Sequence, residues 1–273
     1  GLKLETIEAL RSRRLFIVED CALAIGSRVN DAQLGSFGDV AVWSLEVSKA
    51  VTIGWGGVVS AKSAACRKAL AERQEQLGRV SPIADGRRLF QLWFSVIMME
   101  IRIPGAIFIW YFMYGTRLFR RSNSFDGQHP TKHERMGNLS RSIFCYMQPL
   151  LADIFDTTNG NYKLLQKEAD RLGLISPVRE LDDEYVVSPR FSLLVGEQYI
   201  DAIIRQGEKT GVEVGRWFTE CPPQWGIEKT RIYSSSNSDR ISHLIVNLPC
   251  HWTLSQEELG KIKSLMGYIS SII

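Results

Sequence analysis

No Cys-x-x-Cys pair occurs in this sequence, and its four histidines form no metal-ligand pattern. The five cysteines (Cys21, Cys66, Cys145, Cys221, Cys250) are scattered and odd in number. Neither a zinc site nor a disulfide framework is therefore expected, and a reducing compartment fits best. An excess of one charge is also lacking. The 33 basic and 30 acidic residues leave a net charge of +3. No basic stripe is interleaved with aromatics, which argues against a nucleic-acid partner. Within 87–121 the longest uncharged run, residues 103–116, has 14 residues, whereas a membrane-spanning helix needs about 20. There is no signal-peptide pattern at the start, no internal repeat and no low-complexity tract. Apolar residues make up 45% of the 273. That is enough for a substantial core in one large or two ordinary domains, and it excludes wholesale disorder.

The informative residues concentrate in 16–57. The run Phe16-Ile17-Val18-Glu19-Asp20 reads as a buried strand with carboxylates at its C-terminal end. Gly35-Ser36-Phe37-Gly38-Asp39 follows, and residues 40–45 read as a second short strand. Ser44 stands near its end and Lys49 just past it, with Gly54-Trp55-Gly56-Gly57 beyond. Asp20, Ser44 and Lys49 are thus expected to converge at the strand-end face of an α/β sheet, where such sheets place ligands. That trio has a chemical use. A lysine amine can form a Schiff base with pyridoxal phosphate, and a carboxylate can hold the pyridine nitrogen protonated so that the ring acts as an electron sink. A serine hydroxyl can bond the phosphate. Lys62 and Lys68 are competing lysines, outside any motif.

The ordered series resembles the DegT/StrS family of pyridoxal-phosphate-dependent sugar aminotransferases. There a strand ending Glu-Asp-Ala-Ala precedes Gly-Ser-Phe-Gly-Asp, a Ser-x-x-x-x-Lys segment and Gly-x-Gly-Gly. Weaker likeness continues in Arg135-Met136 with Gln148, and in Asn247-Leu248-Pro249-Cys250-His251-Trp252-Thr253-Leu254-Ser255. The resemblance implies an α/β fold, the fold type I of pyridoxal-phosphate-dependent transferases. It makes Lys49 and Asp20 the catalytic residues, with Lys49, Asp20, Ser44 and His133 holding the cofactor. His133 stands where the family has an Asn that reaches a cofactor phosphate across a dimer interface. Leu23 stands where the family has His or Gln near the cofactor's phenolic oxygen, and it can donate no hydrogen bond.

Three segments are expected in the chain. Residues 1–86 read as the C-terminal portion of the cofactor-binding large domain, with helices over 3–14 and 63–77 and a strand over 58–61. The family carries more of this domain before this point, so the chain is expected to be N-terminally truncated and inactive alone. Residues 87–121 read as an apolar hairpin of two short helices split by Pro104-Gly105 and flanked by arginines. Trp93, Trp110, Tyr111 and Tyr114 suit a membrane interface. Residues 122–273 read as a connecting helix over 133–156, a second helix over 162–172, and a small α+β domain. In that domain Ser255 and Glu258 form a capping box.

By resemblance, the whole protein would transfer an amino group from a donor such as glutamate to a nucleotide-linked keto-deoxysugar in polysaccharide biosynthesis. It would do so as a cytoplasmic homodimer, placed peripherally at the inner membrane face if the hairpin docks there. Two other readings stand. One is a sugar dehydratase, which has His where Lys49 stands. The other is a non-catalytic regulatory or scaffold relative, motivated by Leu23.

Overall fold

The computed structural model describes residues 4–46, 48–101, 134–177, 184–216 and 236–273. His133, Cys221 and the second half of the expected hairpin lie outside the described residues. Contacts group the chain into two units: residues 2–25 with 34–152, and residues 26–33 with 153–273.

The first unit is built on a three-stranded sheet. Helix α1 (Leu4–Ser12) buries Ile7 and leads into β1 (Val18–Asp20). Strands β2 and β3 belong to the second unit. Strand β4 (Val40–Ser44) lies between β1 and β5 (Gly57–Ala61). β1 runs parallel to β4, with Val18 beside Val40 and Asp20 beside Val42. β5 runs antiparallel to β4, with Gly57 beside Ser44 and Ala61 beside Val40. Gly57 is required there, because a Cβ would sit 2.5 Å from the Trp43 carbonyl oxygen. Helix α2 (Ala64–Gln76) starts where the Ser63 hydroxyl accepts from the Cys66 amide at 3.1 Å.

Helix α3 (Pro82–Ile101) corrects one sequence expectation. It begins before residue 87, with Pro82 in its first turn, and runs unbroken to Ile101 rather than forming a short helix inside 87–121. The connecting helix is corrected as well. α4 (Asn138–Met147) begins five residues after His133. Residues 134–137 are extended, with Glu134 bridged to Gly78 and Gly137 as the cap. Asp85 of α3 fixes this start. Its carboxylate accepts from the Leu139 and Ser140 amides and from the Ser140 hydroxyl.

The second unit takes α5 (Leu151–Leu172) from Asp153 onward. Sequence placed a break between two helices near 157–161, but the helix is continuous there. The break falls earlier, at a 3-10 turn over Gln148–Leu150 that contains Pro149. A proline there removes one helical hydrogen bond. Polar side chains of 157–161 find partners inside and outside the helix. Thr158 donates to Ile154 O, Asn159 accepts from the Val186 amide, and Asn161 donates to His251 O. Gly173 ends the helix at φ +68°, as expected.

Two small sheets complete this unit. β2 (Arg28–Val29), β3 (Ala32–Gln33) and β6 (Glu184–Tyr185) form one, turning at Asn30 and Asp31 in left-handed backbone. β7 (Arg190–Leu194) and β8 (Ile245–Pro249) pair antiparallel in the other. Helix α6 (Ile200–Thr210) ends at Gly211, φ +74°, and α7 (Ser236–Leu244) precedes β8. α8 (Gln256–Ile272) opens on the expected capping box. The core joins Phe191, Leu193, Val246 and Leu248 to Leu165, Ile203, Ile262, Leu265, Met266 and Ile269, all at most 1% exposed. Each such side chain contributes roughly 1.5–3 kcal/mol by leaving water.

Candidate active site

Parallel pairing decides where the candidate residues fall. Asp20 is the last residue of β1 and Ser44 the last of β4, so both stand at one edge of the same sheet. Register also puts them on one face, because Asp20 lies beside Val42 and Ser44 follows two residues later. That face carries Val18, Val42 and Val59, exposed by 58, 38 and 48%. The expectation of a buried strand over 16–20 is therefore corrected. Only Val18–Asp20 is strand, Ile17 is buried, and Phe16 and Val18 are exposed. Among the described residues, β1 has a strand neighbour on one side alone.

Lys49 follows on a loop closed by main-chain bonds. The Leu45 amide donates to Gly56 O and the Ile53 amide to Leu45 O. Leu45, Val51 and Ile53 are buried beneath it. Gly54 (φ +88°) and Gly56 (φ +100°) make the return turn, in backbone that a side chain would strain. Glu46 accepts from the Ser48 amide and hydroxyl, which sets the turn that leads into Lys49. Lys49 is half-buried, and among the described residues no carboxylate pairs with its ammonium. The Asp20 carboxylate is exposed and accepts from the Ala22 amide at 3.0 Å.

Sequence reasoning missed two carboxylates that hold β1 in place. Glu19 points to the opposite face from Asp20 and accepts from the Gly35 and Gly38 amides at 2.8 and 2.5 Å. It clamps the glycine loop to β1. Asp39 accepts from the Ile17 amide at 2.8 Å, and its own amide donates to Ile17 O. The available signal was alternation, since adjacent strand residues cannot share a face. Cys21, just beyond Asp20, is buried. Burial first, then the charges of Glu19 and Asp20, push its thiol up to about 11.

The competing lysines stand elsewhere. Lys62 follows β5, and its amide donates to Asp39 O. It therefore lies at the edge where β4 begins, opposite Ser44. A cavity of about 260 Å³ opens at that edge, lined by Ser36, Asp39, Ser60 and Lys62 among others, and it holds none of the candidate residues. Lys68 pairs with Glu72 on an exposed helix face. His133 is outside the described residues, but the segment after it is placed. The Arg135 amide donates to Gly78 O, and the Met136 methyl lies 3.5 Å from where a Cβ on Gly56 would be. Leu23 is 49% exposed.

The fold is fold type I, shared with the solved aminotransferases described below. Residues 2–93 match the DegT/DnrJ/EryC1/StrS aminotransferase family. GDP-perosamine synthase of Escherichia coli O157:H7 is 42% identical over 55 residues, 20% of this chain and 15% of that protein. The L-glutamine:2-deoxy-scyllo-inosose aminotransferase of Micromonospora echinospora is 38% identical over 85 residues, 31% of this chain and 18% of that protein. Among solved structures, the aminotransferase TlmJ from Streptoalloteichus hindustanus aligns with a TM-score of 0.66 at 16% identity. The alignment covers 98% of this chain and 62% of TlmJ. Helicobacter pylori PseC, an aminotransferase involved in the biosynthesis of pseudoaminic acid, aligns with a TM-score of 0.64 at 12% identity. It covers all of this chain and 64% of PseC. The matched segments thus span less than a fifth of these curated relatives, and the chain spans under two thirds of these solved structures.

Proposed function

We propose that the protein to which this chain belongs transfers an amino group from an amino acid such as glutamate to a keto group on a nucleotide-linked sugar, using pyridoxal phosphate. The observation that supports this most is the shared edge of β1 and β4, with Asp20, Ser44 and the Lys49 loop in sequence. The donor set fits the cofactor. Among the described residues, Asp20 offers an exposed carboxylate with one oxygen free of hydrogen bonds, Ser44 a half-exposed hydroxyl, and Lys49 an amine without a carboxylate partner. When bound, pyridoxal phosphate supplies an electron sink for the bond broken at the donor's α-carbon.

Each residue then has one task. Asp20 holds a proton on the pyridine nitrogen by charge and hydrogen bond. Lys49 would anchor the cofactor through its amine and would move the proton between the donor's α-carbon and the cofactor, as general base and then general acid. Ser44 donates to a phosphate oxygen. His133 is proposed as a second phosphate donor, from a partner subunit of a homodimer. Leu23 leaves the phenolic oxygen without a donor at that position. Borohydride reduction of the protein with pyridoxal phosphate, followed by peptide mapping, tests the anchor. The cofactor should be fixed on the peptide containing Ser48 and Lys49, and label on Lys62 or Lys68 instead would overturn the assignment.

A further inference from the structure

Glu46 stands between Ser44 and Lys49 in the chain and bonds toward both. Its amide donates to the Ser44 hydroxyl oxygen at 3.3 Å, and its carbonyl accepts from the Lys49 amide at 3.0 Å. Its carboxylate accepts twice through one oxygen, Oε2: from the Ser48 amide at 3.0 Å and from the Ser48 hydroxyl at 2.6 Å. A bridge to Gly54 ties the Glu46 backbone to the return side of the loop. Glu46 is half-buried, and among the described residues no cation pairs with it. Its charge is spent on the serine that immediately precedes Lys49.

Donor counting gives these bonds a consequence. A serine hydroxyl has one proton to give and two lone pairs to offer. The Ser48 proton goes to Glu46, in a short bond to an ionised acceptor, and is withheld from any ligand. The Ser44 oxygen receives the Glu46 amide, which leaves its one proton to be donated outward. Of the two hydroxyls that flank Glu46, one is tied down and the other is kept as a donor. We propose that Glu46 is a positioning residue: its carboxylate holds Ser48, so that the Lys49 amine leaves the loop in one direction and, of the two serines, Ser44 alone donates to the cofactor phosphate. This role rests on the functions proposed for Lys49 and Ser44. Only one carboxylate oxygen is needed for it. The other, Oε1, makes no hydrogen bond among the described residues.

The geometry fixes which substitutions are tolerated. Glu46→Gln keeps an acceptor oxygen at the same reach, Glu46→Asp is one methylene short, and Glu46→Ala has no acceptor. In the borohydride mapping, Glu46→Gln should fix pyridoxal phosphate on Lys49 at a rate within about threefold of the wild type, while Glu46→Asp and Glu46→Ala should be slower by at least about tenfold, the size expected for losing bonds to a charged acceptor. Pyridoxal, which lacks the phosphate, separates the serines. Ser44→Ala should lower the preference for pyridoxal phosphate over pyridoxal by at least about tenfold, and Ser48→Ala should leave it within about twofold. Without any cofactor, exchange of the Ser48 amide should quicken in Glu46→Asp and Glu46→Ala but not in Glu46→Gln. Equal labelling of Lys49 in the wild type and all three Glu46 variants, or an equal loss of phosphate preference in the two serine variants, would overturn the positioning role and leave Lys49 as the anchor. Label on another lysine in the wild type would overturn the proposed function, and this role with it. Should Glu46→Ala unfold by circular dichroism, the contrast of Glu46→Gln with Glu46→Asp decides.

Discussion

The Asp85 carboxylate and the Ser140 hydroxyl meet at 2.6 Å, both buried, and so tie α3 to the first turn of α4. Gly137 sits against the same carboxylate, where a Cβ would come within 2.1 Å. Asp85→Ala is expected to cost about 2–4 kcal/mol, from a lost helix cap plus a buried hydroxyl left without its partner. Gly137→Ala should also destabilise, by displacing Asp85. The double variant should be less damaged than the two losses summed, because the clash disappears with the carboxylate. Urea unfolding of the four proteins measures this, and strict additivity would contradict the geometry.

Glu19 holds the Gly35 and Gly38 amides with its two carboxylate oxygens. Glu19→Ala should cost about 1–3 kcal/mol, since charged acceptors make the stronger hydrogen bonds. Amide exchange should quicken at Gly35 and Gly38 more than in α8. Unchanged protection at those two amides would show that the clamp is not what orders the loop.

His251 should make the second unit acid-sensitive. Burial pushes its pKa down from 6.5, against the pull of Glu258 and Glu213 and with help from Arg190. A histidine kept neutral by the fold but free to charge when unfolded favours the folded state above its unfolded pKa. Stability then falls as pH drops below about 6.5. Glu258 acts in a lower window. The Ser255 amide and hydroxyl hold its pKa below 4.5, so its contribution is lost only as pH falls beneath that value. Melting temperatures of the wild type should decline from pH 7 to pH 5, and His251→Gln should flatten that decline.

Thiol labelling should separate the cysteines. Burial pushes Cys250 up to about 12, and burial with Glu19 and Asp20 pushes Cys21 up to about 11. Cys145 is exposed. Iodoacetamide at pH 8 should label Cys145 in the native protein and reach Cys21 and Cys250 only on unfolding. Because both raised thiols keep their protons when folded, stability should hold below their ordinary pKa of 9.0 and fall as pH rises toward 11 and 12.

Sequence made β4, β5, α2 and α8 legible because each carries its own local signal: alternation, a capping serine, a capping box. The order Asp20, Ser44, Lys49 was legible for the same reason. The helix break was misplaced because the polar run 157–161 looks like a loop until its partners Val186 and His251 are known, and these lie far along the chain. The pairing of β2 with β6 is equally non-local. Exposure of Phe16 and Val18 was also beyond local reading, since an apolar residue records what it prefers and not whether another layer covers it.

The Lys49 loop is shut by main-chain atoms of Leu45, Ile53 and Gly56, and anchored by side chains that point away from its tip. Nothing in that closure depends on what residue 49 is. The loop therefore behaves as an interchangeable tip on a fixed mount. A histidine or alanine at position 49 should leave the sheet and its melting behaviour untouched while removing the cofactor anchor proposed for Lys49. In such a mount, the reaction can change through a single residue without the fold having to change first.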